Sequence, residues 1–126
     1  MSDLSNRRVV ITGLGAVTDI GHNVSDTWAG LLAGTSGIRS ITAFEQDDQW
    51  VTRIAGEIRD WDPADHVDRS DMKRMDRFSL IGLCAAREAM AHSGLDWEHG
   101  DPYRRGVSIG SGVGGISTIE HFANVL

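Results

Sequence analysis

Cysteine, proline and long apolar runs are scarce in this chain, and each scarcity excludes something. A single cysteine, Cys84, rules out an internal disulfide and fits a reducing compartment, so a cytoplasmic setting is expected. Two prolines alongside 40% hydrophobic residues argue against a disordered chain. No stretch approaches the roughly 18 consecutive apolar residues of a membrane-spanning helix. The opening MSDLSNRR lacks the apolar centre of a secretory leader. Neither membrane insertion nor export is expected. Basic residues are also in deficit. Twelve Lys and Arg against 18 Asp and Glu leave a formal charge of -6. A nucleic-acid partner, which needs a basic face, is therefore not expected.

Glycine, by contrast, is abundant, with 15 in 126 residues, clustered at turns and in one loop. The length suits one ordinary domain with a sizeable core. Val9, Val10 and Ile11 form a β-branched run that reads as a strand buried on both faces. Gly13 and Gly15 break it. A helix follows in SDTWAGLLA, with Asn23 or Ser25 as N-cap, an apolar stripe of Trp28, Leu31 and Leu32, and Gly34 as its stop. Residues 35–50 read as a loop, and Val51–Ile58 as a strand near a sheet edge. Asp62 should cap a short helical turn that opens on Pro63.

The longest helix is predicted from Asp71 to His92, with Ser70 as N-cap and Gly94 as its left-handed stop. Met72, Met75, Ser79, Leu83, Ala86 and Met90 trace one face, which Phe78, Ile81 and Ala85 widen. A second strand-like run, Gly106–Ile109, leads into GSGVGG. A last helix starts near Ser117 and is still running at Leu126 with no cap, which implies a chain that stops inside a domain.

A strand, a glycine-laced turn and a helix open many nucleotide-binding domains. Here the third glycine of G-x-G-x-x-G falls on Thr18, and the helix starts too late to aim its first N–H groups beside Gly15. No G-x-x-x-x-G-K spacing exists either. The glycines are better explained as allowing positive φ and tight passage between layers.

Six signatures occur in order: VVITGLGAVTDIG, WAGLLAGTSGI, RIAGEI, KRMDRF, SGLD and IGSGVGG. Together they resemble the N-terminus of the β-ketoacyl-acyl-carrier-protein synthases, most like the synthase II branch, from Arg7 to Leu126. One departure is that Asp19 and His22 stand where the family usually reads Pro and Asn. The resemblance implies an α/β fold: the N-terminal part of a thiolase-like α-β-α-β-α layered arrangement, incomplete in this chain, with its strands in a central mixed sheet. It implies that residues 1–126 are the N-terminal portion of a β-ketoacyl synthase N-terminal domain, and that the whole enzyme pairs as a homodimer. It also implies decarboxylative condensation of malonyl-acyl carrier protein with an acyl thioester, in fatty acid or polyketide synthesis. In that chemistry a Cys thiolate takes up the acyl group and two His assist. The family's Cys and His lie downstream of the matched region, so no catalytic residue is expected here. Cys84 sits mid-helix, far from a helix N-terminus that could lower its pKa, and reads as a small buried thiol. His22, His66, His92, His99 and His121 are scattered, and no metal site or cofactor is expected.

Two features carry functional expectations. In the family, the residue matching Val113 lies at the acyl-chain pocket. Arg69, Lys73 and Arg74 match basic positions used to dock the acidic acyl carrier protein, and Lys73 and Arg77 fall i, i+4 on one helical face. Two other readings stand beside the synthase: a noncatalytic partner subunit of chain-length-factor type, and a small nucleotide-binding module.

Overall fold

The computed structural model describes residues 8–96 and 98–125. Arg7, at the head of the resemblance, and Leu126, the expected running end of the last helix, lie outside them. The described elements are mixed α/β: helices α1 (Val24–Leu32), α2 (Arg69–Met72), α3 (Arg77–Ser93) and α4 (Ile116–Val125), strands β1 (Ile38–Ser40) and β2 (Ile54–Gly56), and 3-10 turns at Pro63–Asp65 and Pro102–Arg104. None of these helices is long and apolar enough to cross a membrane.

Local chemistry sets most helix ends where the sequence placed them. Asn23 is the N-cap of α1, its side-chain oxygen accepting the Asp26 N–H at 2.8 Å. Gly34, just beyond that helix, is left-handed at φ 67°. Asp62 accepts the Ala64 N–H at 2.9 Å, with Pro63 leading the turn. Gly94 closes α3 at φ 61°.

Other expectations are corrected. Val9–Ile11 and Gly106–Ile109 form no strand; they are exposed, with Val9 at 90%. A strand needs a hydrogen-bonded neighbour, and none of the described segments pairs with either. Among the described residues the one sheet is the antiparallel pair β1–β2, with Arg39 opposite Ala55. Its first strand falls in the segment read as a loop, and its second is far shorter than Val51–Ile58.

The long helix is also divided. Helix α2 ends at Met72, the chain turns through Lys73–Met75, and Asp76 starts α3 with extended backbone (φ −67°, ψ 156°). Its carbonyl accepts the first N–H groups of α3, from Ser79 and Leu80. Its carboxylate accepts the Thr118 hydroxyl of α4 instead of continuing a helix. The Asp76 side chain makes no capping bond; its extended backbone starts α3, while Ser70 lies inside α2, whose N-cap is Asp68.

The core is small. Trp61, Val67, Leu80 and Cys84 are buried, with Val17, Ile58, Met72, Ile81 and Leu83 packed against them. The face of α3 that turns inward is thus Leu80 and Cys84, whereas Met75, Phe78 and Met90 are exposed. The apolar stripe of α1 is exposed as well. Accessible surface totals 10614 Å², against about 6,600 Å² for a compact protein of this mass. The surplus of roughly 4,000 Å² is rich in aliphatic side chains from 9–11, α1, 107–109 and α4.

Candidate functional site

The glycine turn answers to helix α3. Neither Gly13 nor Gly15 has a positive φ, so left-handed freedom is not what they supply. They supply a missing Cβ. One added at Gly15 would fall on the Ala85 carbonyl, 2.8 Å from both the Ala85 carbonyl carbon and the Ala89 nitrogen. One at Gly13 would lie 2.9 Å from Ser93 Cβ. Ala85, Ala89 and Ser93 recur every four residues, so they stack on one face of α3 and let the turn rest on its backbone.

Glu88 and His92 hold the turn there. Glu88 accepts the Ala16 N–H at 2.9 Å through one carboxylate oxygen and the Val24 N–H, in the first turn of α1, at 2.8 Å through the other. His92 Nδ1 accepts the Leu14 N–H at 3.1 Å. Side chains of the chain itself thus occupy these backbone donors. The sequence alone assigns no role to Glu88 or to His92. Their i, i+4 spacing beside a stripe of small residues was the available signal.

The basic cluster comes together only in part. Arg69 and Lys73 line one open groove with Asp62, Ala64 and Met72. Arg74 is exposed on the turn between α2 and α3. Arg77 does not join Lys73 on one helical face, because the helix is interrupted between them. Its guanidinium lies 5.3 Å from the Trp61 ring centroid and donates to the Ile58 carbonyl at 2.6 Å. Though exposed, it is engaged with Trp61 and the Ile58 carbonyl.

Val113 is exposed, at 73%, in the loop that precedes α4. Gly114 and Gly115 beside it are both left-handed, at φ 67° and 58°, so the loop reverses tightly before α4. Phe78 packs under Gly114. The substituted position in the first motif has a structural setting too: the Asp19 carboxylate sits over Gly37 and Gly56, where any side chain would collide with it.

A second carboxylate clasp orders the hairpin. Glu57 accepts the N–H groups of Thr42 and Ala43, each at 2.9 Å, and pairs with Arg59 at 2.6 Å. The Thr42 and Ala43 amides, followed by Arg59, lower its pKa from 4.5 to about 2. Burial pushes the Cys84 thiol up, which suits an inert core residue and not a nucleophile. Among the described residues no three His, Cys, Asp or Glu side chains gather as a metal site.

Comparison with known proteins places this arrangement. The family model for the N-terminal domain of β-ketoacyl synthases matches residues 6–124. A protein of Synechocystis sp. named 3-oxoacyl-acyl-carrier-protein synthase 2 is 40% identical over the whole chain. Proteins of the same name from Coxiella burnetii and Staphylococcus aureus are 45% identical over 93% of it and 44% over 91%. The chain spans 28–30% of the length of these relatives. A solved structure titled the ishigamide ketosynthase/chain length factor superposes with a TM-score of 0.61 at 38% identity, over 73% of this chain and 23% of that one. The ordered motifs, the α/β elements that carry them and a match along nearly every residue agree: the chain belongs to the β-ketoacyl synthase family, with the elements of the N-terminal part of its thiolase-like fold.

Proposed function

We propose that this chain is the N-terminal portion of a condensing enzyme that elongates acyl chains, joining malonyl-acyl carrier protein to an acyl thioester with loss of carbon dioxide. The observation that carries this reading is 40–45% identity, along nearly all of its length, to proteins named 3-oxoacyl-acyl-carrier-protein synthase 2. The share of those relatives that it spans and its surplus of exposed apolar surface support further polypeptide, and pairing as a homodimer, as what covers it. Its own thiol, Cys84, is buried. In this reading the nucleophile lies elsewhere in the whole protein, which the burial of this chain's own thiol supports.

In this reading Arg69, Lys73 and Arg74 receive the acidic carrier protein, and Val113 faces the acyl chain. Long-range attraction between opposite charges raises the encounter rate and weakens with salt. Lys73→Glu combined with Arg74→Glu should lower affinity for acyl carrier protein about tenfold at low salt and flatten its salt dependence. Titration calorimetry at two ionic strengths measures both. Unchanged low-salt affinity removes these residues from the docking surface.

The second reading is a noncatalytic partner subunit that shapes the pocket of an active synthase. The solved structure titled ketosynthase/chain length factor favours it. Incubating the whole protein with an acyl-carrier thioester and weighing it by mass spectrometry separates the two. A covalent acyl adduct supports the synthase, and none supports the partner subunit.

A further inference from the structure

Both oxygens of Glu88 are engaged by backbone N–H groups that lie far apart in sequence. One belongs to Ala16, two positions past the glycine turn's Leu14, and the other to Val24, at the N-terminus of α1. Glu88 is separated from them by 72 and 64 residues. The first-turn N–H groups of a helix carry partial positive charge and attract anions. A carboxylate meeting one such group and a second from a neighbouring turn, at 2.8 and 2.9 Å, has the geometry of a bound anion. The missing Cβ atoms at Gly13 and Gly15 bring the turn close enough to α3 for the Glu88 side chain to reach.

We propose that the Ala16 and Val24 amides form an anion cradle whose ligand is built into the chain: Glu88 occupies it and closes it to outside carboxylates and phosphates. The contact is self-occupying. In a glycine-laced turn followed by a helix, a common setting for a phosphate, these two donors are filled from within. This inference is independent of the condensing-enzyme reading, since it concerns only which anion the amides accept.

Removing the side chain should open the cradle. In the whole protein, amide hydrogen exchange followed by NMR should show Ala16 and Val24 protected. In Glu88→Ala both should exchange at least about tenfold faster, while Thr18, bonded to the Gly21 carbonyl, keeps its protection. Formate or acetate at tens of millimolar should restore protection in Glu88→Ala and change nothing in the unsubstituted chain; inorganic phosphate tests the larger anion. Sodium chloride at matched ionic strength should not. Glu88→Gln, which keeps the shape and one acceptor oxygen, should free one of the two amides and resist rescue. This variant carries the test if Glu88→Ala does not fold. The proposal fails if Ala16 and Val24 exchange freely in the unsubstituted chain, or if either variant leaves both protected. It also fails if chloride rescues as well as formate does.

Discussion

Adding one methyl group at Gly15 tests whether the turn truly rests on α3. In Gly15→Ala the new Cβ would lie 2.8 Å from the Ala85 carbonyl carbon and the Ala89 nitrogen. Ordinary carbon contacts are about 3.5–4.0 Å, so the turn must retreat by about 1 Å. The obstacle is helix backbone, which cannot swing aside as a side-chain tip would. Overpacking of this kind costs about 1–3 kcal/mol. The retreat also stretches the 2.9 Å bond from Ala16 to Glu88 beyond the roughly 3.2 Å limit of a good hydrogen bond. A bond to a charged group contributes about 1.5–3 kcal/mol. Together these give a destabilisation of about 2.5–6 kcal/mol. Gly112→Ala is the control. Nothing lies within 4 Å of its Cβ position and its φ is not positive, so it should be neutral or mildly stabilising. Urea unfolding followed by tryptophan fluorescence measures both. Equal midpoints for the two variants would refute the close-approach account of the glycines.

Two further outcomes follow from the clasp and the loop. The Glu57 carboxyl is held at about 2, below its ordinary 4.5. Its stabilising contribution is therefore complete above pH 4.5 and is lost as pH falls from there through about 2. Exchange of the Thr42 and Ala43 amides should quicken across that window, beyond the intrinsic trend, and Glu57→Gln should abolish the dependence. In the whole protein, Val113→Phe should shorten the acyl chains accepted, read as product length by mass spectrometry. An unchanged product distribution removes Val113 from the pocket.

Features written in neighbouring residues were legible in the sequence. Asn23 meets Asp26 three positions on, Asp62 meets Ala64 two positions on, and Gly34 and Gly94 need only their own backbone. Features that depend on distant partners were not. At the break before α3, Asp76 meets a hydroxyl 42 residues away, on Thr118. β1 exists because β2 lies beside it, with Ile38 facing Gly56. The run Val9–Ile11 has strand-forming residues but no described neighbour to pair with. At the candidate site the basic residues were recognisable by type, yet Arg77 was claimed by Trp61, a contact no spacing rule reveals. Glu88 was hidden for the same reason: its partners stand 64 and 72 positions earlier.

That separation has a consequence during synthesis. At about 5–20 residues per second, a ribosome needs roughly 4–14 s to travel between Ala16 and Glu88. Throughout that interval Glu88, the acceptor these amides meet in the folded chain, is not yet polymerised. The amino-terminal segment therefore emerges unanchored and waits, and its docking is timed by translation of α3 rather than by its own composition.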